Sequence, residues 1–200
     1  MCRHGNRIDF INRKWTGEHP YLSEDGVVQA KETAERLKHE NIKHIFTSPF
    51  LRTIQTAYYI SLALDLPIKI ENGASEWMNS EWFPQRPKPV PNKLLTELFP
   101  TIDTNYSSIL TPSYPEDSET ALVRAGNVVK SLSLQYEEDI LIIGHGHSIW
   151  GMARGFLGDD FVMTTKLCSL TKIVRVNENI TLELNNDTSH LSSGGMLGLM

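Results

Sequence analysis

The feature that most restricts the fold is the run Asp139-Ile140-Leu141-Ile142-Ile143, which is followed by Gly144-His145-Gly146. Consecutive large apolar side chains are typical of a strand that is buried on both faces, as in the middle of a parallel sheet. Two glycines leave the intervening histidine little to pack against. Because ligands of open α/β sheets bind beyond the carboxyl ends of the strands, His145 is a candidate functional residue.

Shorter segments predict helices and strands that alternate around this run. Ser23 can cap a helix whose apolar residues follow at helical spacing, and residues 44–46 are typical of a short buried strand. The remaining predicted elements are helices at 50–64, 92–98, 116–136 and 148–157, a strand at 67–70 and a hairpin of 171–176 with 180–184. The alternation predicts a three-layer α/β/α sandwich with a mostly parallel central sheet and helices on both faces.

The 200 residues are the usual size of one domain. We expect that domain to span residues 1–188, and residues 189–200 to form a disordered tail. Residues 71–115 hold most of the prolines and three aromatic-rich patches, at Trp77, Trp82-Phe83 and Phe99. This composition predicts a long structured insertion that lies over the active site.

Composition excludes some classes of function and favours others. The net charge of −5, with 19 basic and 24 acidic residues in no dominant block, argues against a nucleic-acid-binding protein. No secretion signal and no run of 18 apolar residues is visible, which predicts a soluble protein without a membrane span. Cys2 and Cys168 lie far apart and form no pair motif, which favours a reducing, cytoplasmic location.

The amino-terminal segment Arg3-His4-Gly5, with Arg7 close by, is the first candidate phosphate site. Planar guanidinium groups bind phosphate oxygens with paired hydrogen bonds, and Gly5 would let the backbone turn close to a ligand. An exposed basic terminus is the alternative. A central strand is expected before Arg3, yet only two residues precede it. Either that strand is truncated, or Met1 is an internal methionine of a longer chain.

A second candidate phosphate site lies at Ser48-Pro49, where a predicted strand ends and a helix begins with Arg52 in its first turn. Anions bind near helix amino termini because unpaired backbone N–H groups point outward there. A solvated arginine is the alternative for this position.

The chain resembles the histidine phosphatase superfamily, which has the phosphoglycerate-mutase-like fold. The resemblance rests on three features in this order: Arg3-His4-Gly5, the arginine after Ser48-Pro49, and His145 late in the chain. Arg7 and the segment Gly73-Ala74-Ser75-Glu76-Trp77 are similar to the branch of the TULA/Sts and ecdysteroid-phosphate phosphatases. Asn6 departs from the glutamate that is usual in that branch, and we expect this change to tune rather than abolish activity.

The resemblance implies a metal-independent phosphomonoester hydrolase that works through a phosphohistidine on His4, without a cofactor. Glu76 is implied as the general acid and base, with Glu81 as the substitute if the loop register differs. The implied catalytic residues are His4, Glu76 and His145, and the implied phosphate-binding residues are Arg3, Arg7, Arg52 and His145. The implied substrate is a phosphorylated small molecule or a phosphotyrosine-type group, and a homodimer is suggested.

Four questions stay open. A mutase that passes phosphate between hydroxyls of one metabolite would use the same histidine chemistry, and an inactive phosphate-binding or dimerising scaffold would keep the same residues. His145 and His147 form an HxH pair, but no acidic or cysteine cluster completes a metal site. Trp77, Trp82 and Phe83 either line a pocket for the leaving group or form the small core of the insertion.

Overall fold

We describe residues 1–194 of the chain from a computed structural model. The strands are β1 (Cys2–Arg3), β2 (His44–Thr47), β3 (Ile68–Ile70), β4 (Ile140–Gly144), β5 (Leu170–Val176) and β6 (Asn179–Asp187). The helices are α1 (Ile8–Ile11), α2 (Glu24–Leu37), α3 (Leu51–Leu64), α4 (Asn92–Leu98), α5 (Ser118–Gln135) and α6 (Gly146–Leu157). A single 3-10 turn, Asn72–Ala74, follows β3.

The six strands form one sheet in the order β3-β2-β4-β1-β5-β6. β1, β2, β3 and β4 pair in parallel, whereas β5 and β6 are antiparallel and form the predicted hairpin. The apolar run of β4 therefore lies between two parallel neighbours, β2 and β1, as predicted. The mostly parallel sheet of the predicted fold class is confirmed.

The side chains of β4 alternate between two apolar layers. Leu141 and Ile143 pack in one buried cluster with residues of α2 and α3, while Ile142 packs in another with residues of α5 and α6. Successive side chains of a strand point to opposite faces, so both layers of helices are anchored on the same strand. Helices thus cover both faces of the sheet, as the alternation of elements predicted.

Glycines allow α5 and α6 to pack very closely. A Cβ on Gly151 would lie 2.6 Å from the carbonyl oxygen of Leu122, and one on Gly155 would lie 2.9 Å from the Cα of Gly126. A larger residue at either position would push the helices apart. This contact holds α6 in place, and the residue that precedes α6 is His145.

Three local features differ from the sequence-based expectations. α6 begins at Gly146, two residues earlier than predicted, with His145 as its N-cap residue. The four-residue α1 was not predicted, and β1 contains only two residues. Cys2 of β1 nevertheless pairs with Ile143 on one side and with Leu170 on the other, which places the following residue, Arg3, at the end of the central strand.

A buried carboxylate, that of Glu71 at the end of β3, anchors the start of the insertion. Its two oxygens accept five hydrogen bonds, from the hydroxyls of Tyr106 and Ser108 and the backbone N–H groups of Gly73, Ile109 and Leu110. Burial and the hydrogen bond to Glu71 together raise the pKa of Tyr106. The carboxylate therefore ties the start of the insertion to its later part.

Residues 189–194 of the predicted tail pack against the domain. Leu191 is buried, and Nε2 of His190 lies 3.1 Å from the hydroxyl of Thr33 in α2. The rest of that predicted tail, residues 195–200, lies outside the described residues. Within residues 1–194, no helix has both the length and the apolar character that crossing a bilayer requires.

Candidate active site

The predicted site residues meet at one edge of the sheet. His4 follows β1, Arg52 lies in the first turn of α3 after β2, and His145 follows β4. These strands are parallel, so their carboxyl ends share an edge. The rings of His4 and His145 approach edge to face with centroids 5.3 Å apart, although 141 positions separate them in the sequence.

The hydrogen bonds of His4 determine its tautomer. Its Nδ1 lies 2.8 Å from the carbonyl oxygen of Gly5, which can only accept, so Nδ1 carries the proton. Burial, followed by the charges of Arg52 and Arg3, lowers the pKa of His4 well below its ordinary value. The imidazole is therefore neutral near pH 7, and the lone pair is on Nε2.

His145 is completely buried and held on both ring nitrogens. A guanidinium N–H of Arg52 donates to Nδ1 over 3.1 Å, so the neutral ring carries its proton on Nε2, which donates to the hydroxyl of Ser48 over 2.8 Å. Burial and then the charge of Arg52 lower the pKa of His145 as well. The ring of Phe50 lies edge to face with His145, with centroids 5.1 Å apart.

Arg3 and Arg52 concentrate positive charge beside the two histidines. Arg52 is buried, and burial followed by the charge of Arg7 lowers its pKa to about 9. Within residues 1–194, Nε of Arg3 and Nε of Arg52 are buried without a hydrogen-bond partner. Buried donors without partners cost free energy. An anion with several oxygens would satisfy these donors and offset the repulsion between the guanidinium groups.

Arg7 takes a different position from Arg3 and Arg52. Its Nε and one terminal nitrogen donate to the carboxylate of Asp9, each over 2.7 Å, and the side chain is 21% exposed. Its guanidinium also lies 4.2 Å above the ring of Phe10. Arg7 thus lies at the rim, where part of its hydrogen-bonding capacity goes to Asp9, a partner that the sequence analysis did not assign.

Gly5 is required by packing against α2. A Cβ at Gly5 would lie 2.7 Å from the carbonyl oxygen of Gly26, and a Cβ at Gly26 would lie 1.9 Å from that of Asn6. Gly5 is thus needed for a close contact between backbones, and its expected role in letting the backbone turn close to a ligand stays a prediction. Asn6 is buried there, and its Oδ1 accepts the N–H of Arg7 over 2.9 Å.

The carboxylate of Glu76, in the insertion, lies beside His145 and Arg52. Its Oε2 lies 3.5 Å from Nδ1 of His145 and 3.9 Å from a guanidinium nitrogen of Arg52. Glu81, the predicted substitute, is exposed, and its N–H donates to Oδ1 of Asn79. The geometry therefore favours Glu76 as the carboxylate of this site.

His147 has surroundings of its own, apart from those of His145. Its ring stacks on Trp77 with centroids 4.9 Å apart, and its Nε2 lies 3.1 Å from the carbonyl oxygen of Ser118. Trp77 in turn contacts Trp82. In the described part of the chain, no group of three or more His, Cys, Asp or Glu side chains could hold a metal ion.

Sequence reasoning missed two groups that orient the basic side chains. The hydroxyl of Ser48 contacts His145, and the carbonyl oxygen of Thr165 accepts a hydrogen bond from Arg3 over 2.5 Å. Ser48 belongs to the Ser-Pro turn that pointed to Arg52, so a signal for it was present. Thr165 lies in a loop 162 positions after Arg3, and nothing in the sequence connects the two.

The two buried histidines predict that the free energy of unfolding decreases as the pH is lowered below about 6.5, the ordinary pKa of histidine. Their pKa values are lowered by folding, so below that pH the unfolded chain binds more protons than the folded one. Each histidine adds a slope of up to about 1.4 kcal/mol per pH unit.

Urea unfolding between pH 5 and 8 of the wild type and of His4→Asn measures this slope. The asparagine amide can replace Nδ1–H but does not titrate, so the variant should have the shallower slope below pH 6.5. The same comparison with His39→Asn, at an exposed histidine, should leave the slope unchanged. Equal slopes for the wild type and His4→Asn would contradict a neutral buried His4.

Comparison with known proteins gives concordant matches. The family model of the histidine phosphatase superfamily (branch 1) matches residues 1–188. The transcription factor tau 55 kDa subunit of Saccharomyces cerevisiae is 29% identical over 182 residues, which cover 80% of this chain and 41% of that protein. The human ubiquitin-associated and SH3 domain-containing protein B is 30% identical over 138 residues, which cover 62% of this chain and 21% of that protein.

Among solved structures, the ecdysone phosphate phosphatase of Bombyx mori in complex with tungstate superposes with a TM-score of 0.77. The two chains are 18% identical, and the match covers 92% of this chain and 91% of the other. This similarity supports the assignment of the fold. The chain spans less than half of the length of either curated relative.

Proposed function

Since the chain belongs to branch 1 of the histidine phosphatase superfamily, we propose that it hydrolyses phosphomonoesters through a phosphohistidine on His4. The observation that carries this proposal is the buried, neutral His4, whose Nδ1–H is bound to the Gly5 carbonyl and whose pKa is lowered by burial and by the nearby charges of Arg52 and Arg3. An uncharged imidazole is a nucleophile, and the surrounding guanidinium groups would bind the phosphate that it attacks.

In the first step, Nε2 of His4 attacks phosphorus and forms an N–P bond, while the bond from phosphorus to the ester oxygen breaks. Glu76 protonates the leaving oxygen, which departs as an alcohol. The equatorial oxygens carry negative charge in the transition state, and Arg3 and Arg52 stabilise it, with Arg7 at the rim. His145 joins them in its other tautomer, in which Nδ1–H donates to the phosphate and Nε2 accepts from the hydroxyl of Ser48. A distance of 3.5 Å between Oε2 of Glu76 and Nδ1 of His145 supports this role, because His145 is one of the proposed phosphate-binding residues.

In the second step, water attacks the phosphohistidine. The Glu76 carboxylate takes a proton from that water, the N–P bond breaks, and inorganic phosphate leaves with the lone pair returned to Nε2 of His4. The bond from Nδ1 to the Gly5 carbonyl keeps the ring in one orientation through both steps. Hydrolysis rather than transfer to a second hydroxyl distinguishes this proposal from the mutase alternative.

We propose a phosphorylated small molecule or a phosphotyrosine-type group as the substrate. Aromatic rings support a planar leaving group: Phe50 lies beside His145, and Phe83 lies 5.9 Å from Phe50 between ring centroids. The similarity to the ecdysone phosphate phosphatase of Bombyx mori suggests a steroid phosphate as one such substrate. A homodimer and a reducing, cytoplasmic location also remain proposals, the latter supported by the free thiols of Cys2 and Cys168.

Trapping of the intermediate tests the proposal. The protein is mixed with p-nitrophenyl phosphate, quenched in alkali within milliseconds and digested, and the peptides are analysed by mass spectrometry. We expect one added phosphoryl group on the peptide that contains His4, because phosphohistidine survives alkali, and none in His4→Asn. Catalytic turnover with the phosphoryl group on another residue, or with no phosphoenzyme at any quench time, would overturn the mechanism.

A further inference from the structure

The candidate acid and base, Glu76, lies on a segment without regular structure, between the 3-10 turn and α4. The chemistry of the site requires this carboxylate to remain within a few ångströms of the phosphate. A loop has no backbone ladder to hold it, so its position depends on contacts with the rest of the domain. Several of these contacts are made by two buried side chains, those of Arg124 and Glu116.

Arg124 of α5 binds three backbone carbonyl groups of this segment. One terminal nitrogen donates to the oxygens of Gly73 and Ser75 over 2.6 and 3.2 Å, and the other donates to that of Glu76 over 3.2 Å. Gly73 and Ser75 are buried, so these oxygens are largely shielded from water. One rigid guanidinium thus determines the path of the backbone up to Glu76.

Glu116, just before α5, holds Arg124 and the other end of the segment. Its carboxylate accepts from Nε and one terminal nitrogen of Arg124 over 2.7 and 2.9 Å. Its backbone N–H donates to the oxygen of Met78 over 3.0 Å, and its backbone oxygen accepts the indole N–H of Trp77 over 2.9 Å. The segment is therefore held on both sides of Glu76.

We propose that Arg124 and Glu116, which we call the clamp, are positioning residues for Glu76. Within residues 1–194, the side-chain hydrogen bonds of the clamp go to backbone groups of the segment and to each other, and its two opposite charges cancel. It keeps the Glu76 carboxylate where it can protonate the leaving oxygen. This inference rests on the proposed function and adds to it the means by which the acid is held.

The test compares two phosphate esters that differ in their need for a general acid. p-Nitrophenyl phosphate has a stable leaving anion that departs with little protonation, whereas phenyl phosphate needs the proton from Glu76. The variant Arg124→Met with Glu116→Gln removes both charges at once, so neither is left buried without a partner. kcat/KM is measured for each ester, together with the inhibition constant of inorganic phosphate.

For the double variant we expect kcat/KM to fall by about 10–100-fold with phenyl phosphate and by less than about 5-fold with p-nitrophenyl phosphate. The inhibition constant of phosphate should change by less than about 3-fold, because Arg3, Arg52 and His145 are untouched. The matched control is Arg154→Met with Glu119→Gln, which removes another paired arginine and glutamate that link α6 to the start of α5. This control should leave all three values near those of the wild type.

Two results separate the inference from the function on which it rests. Equal losses with both esters, together with weaker phosphate inhibition, would show a general structural defect and overturn the positioning role; unchanged values for both esters would also overturn it. Glu76→Gln measured in parallel must show the larger loss with phenyl phosphate. If Glu76→Gln lacks that difference, the acid role itself fails, whatever the clamp variant does.

Discussion

His4→Asn should lower the turnover of p-nitrophenyl phosphate by about 10⁴-fold or more while the domain remains folded. Asparagine is similar in size, and its amide N–H can donate to the Gly5 carbonyl as Nδ1 does. It has no lone pair at the position of Nε2 that could accept a phosphoryl group. The loss should therefore appear in kcat/KM, with a near-native circular dichroism spectrum.

His39→Asn is the matched control for this variant, because it makes the same substitution at an exposed histidine of the segment after α2. Its activity should equal that of the wild type. Binding of inorganic phosphate or vanadate to His4→Asn, measured by calorimetry, shows whether the arginine pocket still works. Turnover in His4→Asn within tenfold of the wild type would exclude His4 as the nucleophile. Vanadate binding without turnover in the wild-type protein would favour the inactive scaffold.

Arg52→Met has two opposite expected effects. Activity should fall by about 10²–10³-fold, because the variant loses the guanidinium that we propose to bind the equatorial oxygens and that donates to Nδ1 of His145. The free energy of unfolding should rise by about 1–3 kcal/mol, because methionine fills the site without a buried charge. The lowered pKa of Arg52, about 9 through burial and the nearby Arg7, is the reason for this gain.

Urea unfolding without ligand and steady-state kinetics measure both effects on the same protein. Arg175→Met, at an exposed arginine near the far end of β5, is the control and should change neither value markedly. Added vanadate should stabilise the wild type more than Arg52→Met, because the anion offsets the repulsion among the guanidinium groups. A less stable Arg52→Met with unchanged kinetics would mean that Arg52 serves the fold instead of the chemistry.

The two main helices at the start of the chain show why local signals sufficed for most of the fold. Ser23 was predicted to cap a helix, and its hydroxyl oxygen accepts the N–H of Gly26 over 3.1 Å. The helix predicted at 50–64 begins at Leu51, one residue later. Caps and apolar spacing act within a few residues, so they are visible in the sequence. The four-residue α1, without a side-chain cap, carries no such signal.

The candidate site contains contacts that local sequence signals do not predict. His4, Arg52 and His145 each follow a strand of the mostly parallel sheet, and the carboxyl ends of parallel strands share one edge, so their meeting was within reach of the sequence. Arg7 has the spacing of a phosphate ligand, yet a carboxylate only two positions away binds it at the rim. Arg124 gave no sequence signal at all, because the carbonyl oxygens that it binds lie about 50 positions earlier in the chain.

By itself, the sequence determined the type and order of the elements and which chemical groups follow each strand. These depend on periodicity, caps and turns, which are interactions between near neighbours. The tertiary structure alone decided the tautomer of His4, the neutral state of His145, the pairing of Arg7 with Asp9 and the support of Glu76 by Arg124. Each of these depends on burial or on distances between segments that are far apart in the chain, and both are set only when the layers pack.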